Sequence, residues 1–203
     1  MHCDVLVVGA GPAGAACARH LALGGASVIL ADRTAVSVGK PCGEYLSPQG
    51  FQKLEALGVL DEILRQPHME LEGVRLTGRH GAVLEGRYTR FMGHAPSHPR
   101  GLAIERRLLD PILRRKAEET PGVAALAGAV FTSMNLKPGG AEAVFQCSDG
   151  EQRVQARLVI GADGAHSMVA RTLGVDRRLQ WLDRVALVGH LKGAPEGRLG
   201  ELH

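Results

Sequence analysis

Aromatic side chains are scarce in this chain: one Trp, two Tyr and four Phe in 203 residues, 3% of the whole. No run of about 18 apolar residues occurs, so nothing reads as a transmembrane helix. Four cysteines and nine histidines form neither a C-x-x-C pair nor an H-E-x-x-H motif, which leaves a metal site without ligands at metal spacing. The net charge is only +3 and the basic residues are spread along the chain, so the clustered footprint of a nucleic-acid partner is missing. The apolar N-terminus lacks a basic n-region, carries Asp4 and is interrupted by Arg19 and His20, which argues against a signal peptide. Cys3, Cys17 and Cys147 fall in strand or helix patterns and read as small core hydrophobes of a reduced, cytoplasmic protein. Internal repeats and low-complexity tracts are absent.

What is abundant is glycine, 27 residues, within a chain that is 45% hydrophobic. That combination suits an α/β protein with many tight turns and enough apolar surface for a core. The stretch "VLVVGAGPAGAACARHLALGGASVILADR", residues 5–33, sets the theme. Val5 to Val8 predicts a short strand buried on both faces. Gly9, Gly11 and Gly14 follow the G-x-G-x-x-G pattern: a tight turn, an approach of backbone to pyrophosphate, and close helix packing. Pro12 stands where a helix begins, and Ala15, Ala16, Cys17 and Ala18 let that helix lie close on a sheet. Gly24 and Gly25 end it, and Val28 to Ala31 predicts a second strand. Asp32 then lies near the spacing at which an acid meets a ribose hydroxyl. It favours an unphosphorylated ribose, while Arg33 beside it is the residue type that suits a phosphorylated one. Strand, glycines, helix, strand and acid in that order predict a dinucleotide cradle.

Beyond it, residues 34–50 are too long and unusual for a plain linker. Ser47-Pro48 starts a helix with Phe51, Leu54 and Leu57 on one face and Gly58 as its stop, and a short helix covers Leu60 to Arg65. Residues 69–91 alternate as strands. "ERRLLDPILRRKAEET" predicts an amphipathic helix that accommodates Pro111, with Leu108, Ile112 and Ala117 inward. Strands follow, two of them joined near Ser148-Asp149-Gly150. "LVIGADGAHSMVARTLG", residues 158–174, then repeats the opening logic: a buried strand to Gly161, the Asp163-Gly164 turn, and a helix from His166 or Ser167. Asp at such a turn is often only a cap or an Asx-turn former. Its place at a strand's carboxyl end favours a ligand-facing role.

The sequence resembles the FAD-dependent monooxygenase and geranylgeranyl reductase group of flavoproteins. "GAGPAG" with Asp32, "ERRLLDPIL" and "GADGAHSMVAR" carry the resemblance over nearly the whole length, although Ala170 shifts the spacing of the last. "KPCGEYLSP" resembles the reductase branch's Pro-Cys-Gly-(Gly or Glu)-Gly-Leu-Ser-Pro stretch, with Tyr45 in place of a usual glycine. The resemblance implies FAD as cofactor and a pyridine-nucleotide path, with NAD(P)H or another donor supplying the electrons. It places Ala13 with the turn, Arg106 at the FAD phosphate or ribityl region, and Asp163 and Gly164 near the ribityl-pyrophosphate part. It also puts Cys42 and Gly43 near the isoalloxazine and the backbone of Val130 at the adenine. Cys42 and Glu44 are weak catalytic candidates, with His166 behind them, and no metal is expected.

The expected fold is therefore α/β: a Rossmann-like FAD-binding domain over 1–68 and 100–175, plus the start of an antiparallel-sheet substrate domain over 69–99 and 176–203. No Gly-Asp motif or completed substrate sheet follows, so a C-terminally truncated chain is expected, binding FAD poorly by itself. The expected reaction is reduction of carbon–carbon double bonds in an apolar, isoprenoid-like small molecule. The alternatives are an aromatic hydroxylase, an NAD-dependent dehydrogenase, and a non-catalytic dinucleotide-binding fragment. A cytoplasmic protein compatible with peripheral membrane contact is expected, with its oligomeric state open.

Overall fold

The computed structural model describes residues 1–36, 40–89, 98–177, 185, 187–190 and 197–202. Its elements in chain order begin with β1 (His2–Val8), α1 (Pro12–Leu23), β2 (Val28–Asp32) and β3 (Tyr45–Leu46). Then come α2 (Pro48–Ala56), α3 (Leu60–Leu64), β4 (Met69–Leu71), β5 (Gly73–Thr77), β6 (Val83–Arg87) and β7 (Gly101–Ala103). The helix α4 (Arg106–Glu118) and strands β8 (Val123–Ala127), β9 (Val130–Lys137), β10 (Gly140–Cys147) and β11 (Gly150–Gly161) follow. The last two are α5 (Met168–Thr172) and β12 (Leu199–Leu202). Two compact units emerge: Met1–Val38 with Asp110–Val185, and Gly39–Leu109 with Ala186–His203.

In the first unit a six-stranded sheet runs in the order β8-β2-β1-β11-β10-β9. Strand β1 is parallel to β2 and β11, and β8 extends the parallel part beyond β2. The β9-β10-β11 meander is antiparallel. Parallel strands need a crossover, and α1 provides the one between β1 and β2. Its small residues Gly14, Ala15, Ala18 and Ala22 are its buried face. Leu6, Val8, Ile29 and Ala31 pack with Phe131, Phe145, Val154 and Val169 in one core, where Phe131 and Phe145 meet edge to face at 5.7 Å. Truncating Ile29 to Ala there would cost about 2–5 kcal/mol. The end of β11 is less buried than the sequence predicts. Leu158 is 52% exposed, because one face of this stretch has no covering element among the described residues.

The second unit holds two three-stranded sheets, β3-β7-β4 and β12-β5-β6. The first is antiparallel, as is the pair β5-β6, but β12 lies parallel to β5. The β12-β5-β6 sheet is therefore mixed. Phe51, Leu54 and Leu57 are buried as their spacing requires, and Gly58 at φ +65° stops α2. In α4 the inward stripe is Leu109, Ile112, Leu113 and Ala117, rather than one through Leu108. Strands β3 and β7 carried no periodicity long enough to read. The expected strand ends at Phe91 and His203, and residues 37–39 of the unusual loop, lie outside the described residues.

Candidate nucleotide and flavin site

Strands β1 and β11 end side by side, with Val8 opposite Gly161. Each runs into a turn and then a helix, so two βα turns meet at one carboxyl edge of the sheet. The contact is intimate: a Cβ on Gly9 would stand 2.4 Å from the Ala162 carbonyl oxygen and 2.8 Å from the Asp163 Cα. Gly9 also has φ +104°, a backbone state other residues rarely adopt. The structure thus brings together the two constellations that the sequence holds more than 150 residues apart.

The glycines divide their work. Gly14 is buried under the turn, and a Cβ there would lie 1.8 Å from the Gly9 carbonyl oxygen. Gly11 is the N-cap of α1, with extended backbone, no side-chain cap and no acid in the first helical turn. A Cβ on Gly11 meets no atom within 4 Å. The protein itself therefore does not require glycine at position 11. The free N–H groups and positive end of the α1 dipole suit an anion in that space, and this cradle fits the pyrophosphate of a dinucleotide. Pro12 is half-buried and Ala13 exposed, both on the open side of the turn.

Asp32 closes the site at the end of β2. Its Oδ2 accepts the Ala10 N–H at 2.7 Å, and its Oδ1 accepts the Thr34 N–H at 2.8 Å and the Thr34 hydroxyl at 2.6 Å. Burial pushes this carboxyl up, but the Thr34 hydroxyl, the Ala10 and Thr34 N–H groups and nearby Arg114 together hold it below the usual range. Arg33 is exposed. The Ala129 N–H donates to the Asp32 carbonyl at 2.8 Å, which sets Val130, 47% exposed, beside the end of β2.

Asp163 has a capping role in the structure. Its Oδ2 accepts the Met168 N–H at 2.6 Å and the Val169 N–H at 3.2 Å, and its Oδ1 accepts the Ser167 hydroxyl at 2.6 Å. Ser167 itself caps Ala170 N–H at 2.9 Å. Gly164 sits exposed at φ +86° and His166 is exposed.

In the second unit the remaining candidates gather around Glu44. Cys42 is half-buried and Gly43 exposed. Glu44 has φ +53°, the left-handed region where glycine is at ease. Its backbone carbonyl accepts the Ile104 N–H at 3.0 Å, and its Oε1 accepts the Arg106 N–H at 3.1 Å at the start of α4. Its Oε2 pairs with His190 Nε2 at 2.7 Å. That hydrogen bond and the carboxylate charge raise the His190 pKa above its ordinary value. The Tyr45 hydroxyl meets the Tyr88 hydroxyl at 2.6 Å. Sequence reasoning missed His190, Thr34 and Arg114; an Arg on the apolar stripe of α4 was the one available signal.

Comparison with known proteins places this geometry. The profile of the FAD binding domain family matches residues 2–190. The menaquinone reductase of Mycobacterium tuberculosis is 35% identical over 192 residues, 94% of this chain and 45% of that protein. Digeranylgeranylglycerophospholipid reductase 1 of Methanothermobacter thermautotrophicus is 34% identical over 174 residues, 85% of this chain and 42% of that protein. The 6-methylpretetramide 4-monooxygenase of Streptomyces rimosus is 34% identical over 176 residues, 86% of this chain and 41% of that protein. The chain spans less than half the length of these curated relatives.

Proposed function

Since the chain belongs to the FAD binding domain family and FAD is its cofactor, we propose that the protein is an FAD-dependent oxidoreductase reducing carbon–carbon double bonds of an apolar, isoprenoid-like substrate with electrons from NAD(P)H or another donor. The observation that carries this reading is the pair of βα turns at adjacent strand ends, one open at Gly11 and the other packed onto Gly9. Similarity to a digeranylgeranylglycerophospholipid reductase and a menaquinone reductase supports the substrate class.

FAD supplies the two-electron redox chemistry when bound. This chain's residues do the holding. The turn from Gly9 to Gly14, with Pro12 and Ala13 on its open side, receives the pyrophosphate at the α1 N-terminus. Asp32 accepts the adenosine ribose hydroxyls, with Arg33 outside it and the Val130 backbone toward the adenine. Asp163 and Gly164 shape the second turn beside the pyrophosphate. Cys42, Gly43 and Arg106 are assigned to the same cofactor by resemblance alone, and Glu44 fixes their loop on the first turn of α4. Tyr45, in the place of a usual glycine, departs from the pocket shape that the resemblance implies, so the resemblance does not name the substrate. A cytoplasmic protein that meets its apolar substrate at a membrane surface is the setting proposed; no described helix is long and apolar enough to cross a membrane.

The second reading is an aromatic monooxygenase, which similarity to 6-methylpretetramide 4-monooxygenase favours. Incubation of the FAD-loaded protein with NAD(P)H and a geranylgeranyl lipid, followed by mass spectrometry, separates the two. A product that gains two hydrogens without consuming oxygen supports the reductase. Incorporation of one labelled oxygen atom from dioxygen, with an aromatic acceptor, would replace it by the hydroxylase. Absence of NAD(P)H oxidation with either acceptor leaves a non-catalytic dinucleotide-binding module.

A further inference from the structure

Arg114 is 6% exposed, on the inward stripe of α4 between Leu113 and Ala117. A guanidinium taken out of water is costly unless its donors find acceptors. Its Nε donates to Glu118 Oε1 at 2.7 Å, a partner on its own helix. Its Nη1 reaches back across 80 residues to the Thr34 carbonyl at 2.9 Å and lies 4.0 Å from Asp32 Oδ1. Thr34 is the residue whose N–H and hydroxyl both hold Asp32 Oδ1. A carboxylate offers about four acceptor positions. Among the described residues two are taken on Oδ1 and one on Oδ2, the last by Ala10 of the glycine turn. The open position is on Oδ2, the oxygen that faces that turn.

We propose that Arg114 is a positioning residue of the nucleotide site: by clamping the Thr34 carbonyl it fixes the rotation of the Asp32 carboxylate, so that the open Oδ2 acceptor faces the ribose diol. The proposal rests on the reading that Asp32 binds that ribose. The carboxylate torsion of Asp is broad and has no strong well of its own. Its direction is therefore set by its partners. Without Arg114 Thr34 loses its one long-range hydrogen bond among the described residues, and the two donors that pin Oδ1 turn with it. The acceptor then spreads over several directions, and the ribose hydroxyls meet a carboxylate that must be ordered on binding.

The test is calorimetric titration of the full 203-residue chain with ADP and with 2′,3′-dideoxyadenosine diphosphate, which lacks both ribose hydroxyls. The wild type should prefer ADP by about tenfold, the value of one charge-assisted hydrogen bond. Asp32→Asn should erase most of that preference. Arg114→Met should reduce it to about twofold while leaving the dideoxy affinity near the wild-type value, and Arg114→Lys should restore part of it. A purely structural role would weaken both ligands in proportion and leave their ratio unchanged, and that result overturns the proposal. If Arg114→Met does not fold, the Arg114→Lys ratio decides, and a wild-type ratio there overturns it equally. A wild type that does not distinguish the ligands removes both the Asp32 reading and this inference. Loss of preference in Asp32→Asn with full preference in both Arg114 variants removes the inference alone.

Discussion

Replacing Gly14 with Ala should lower the melting temperature of the cofactor-free protein, while the same methyl at Gly11 should leave folding intact and weaken FAD. The added Cβ at Gly14 would lie 1.8 Å from the Gly9 carbonyl oxygen, 2.9 Å from its carbon and 3.2 Å from the Ala162 Cβ. Favourable contacts between carbon and its neighbours begin near 3.5 Å, so α1 must lift from the turn by more than an ångström. Both nearest atoms are backbone, and Gly9 is itself fixed by its N–H bond to the Ala31 carbonyl at 2.7 Å. No rotamer change can relieve the clash. Overpacking of this kind costs about 1–3 kcal/mol or more, and the upper end applies here. At about 2–4 °C per kcal/mol for a chain of this size, the melting temperature should fall by roughly 10 °C.

Gly11 presents the opposite case. Its φ of −68° and ψ of −179° suit any residue, and nothing stands within 4 Å of the new methyl. Fewer unfolded conformations favour Ala by about 0.4–1 kcal/mol, and loss of a preferred N-cap residue opposes this by a similar amount. The melting temperature without FAD should thus stay within about 2 °C of the wild type. FAD affinity should drop at least about tenfold as the methyl enters the pyrophosphate space. Differential scanning fluorimetry of the cofactor-free variants and flavin-fluorescence titration give the two readouts. A Gly14→Ala protein melting with the wild type, or a Gly11→Ala protein with unchanged FAD affinity, would refute the division of labour argued for the turn.

Asp163→Ala removes the acceptor for two N–H groups of α5 and for the Ser167 hydroxyl, so urea unfolding should show a loss of about 0.5–2 kcal/mol; an unchanged midpoint would contradict the capping role. Asp32 has a folded pKa below its unfolded one, burial opposing and the Thr34, Ala10 and Arg114 partners outweighing it. Its stabilisation is complete above about pH 4 and is lost as pH falls through the folded value. Urea midpoints of Asp32→Asn should therefore decline less steeply than wild type between about pH 4 and pH 2, and identical slopes would show that Asp32 is not so held. His190 has the opposite sign: its folded pKa is raised by the Glu44 hydrogen bond and charge, so its contribution is full below about pH 6.5 and fades as pH rises through the folded value. The His190 ring-proton titration by NMR should return toward the ordinary histidine value in Glu44→Gln, and a curve that does not move would exclude the pair.

How much of this could be read from letters alone depends on how far each constraint reaches along the chain. The glycine turn was legible because its demands are local: a left-handed Gly9, a small Gly14 under the turn, a proline at the start of α1. Ser47-Pro48 and Gly58 bounded α2 for the same reason, and both ends stand as expected. In α4 two adjacent leucines offered two registers, and periodicity could not choose between Leu108 and Leu109. Packing chose Leu109, which brings Leu113 and Arg114 inward with it. An arginine within a densely charged helix reads as solvated surface, and its partner across the fold, the Thr34 carbonyl, lies 80 residues away. Glu44 was visible as a polar letter beside Cys42, but its left-handed backbone and its pairing with His190 depend on chain that lies 146 residues further on.

Asp163 shows why the site as a whole lies between these extremes. Its own neighbours, Ser167, Met168 and Val169, account for its hydrogen bonds among the described residues, so local chemistry explains the residue without any ligand. Its proposed bearing on the cofactor rests instead on register. Val8 pairs with Gly161 across two parallel strands, and parallel strands are adjacent only through long crossovers that no short window of sequence contains. The capping bonds hold the Ala162–Asp163 turn in one conformation, and that conformation occupies the space a side chain on Gly9 would need. The second turn therefore fixes the shape of the first, which is the turn proposed to receive the nucleotide.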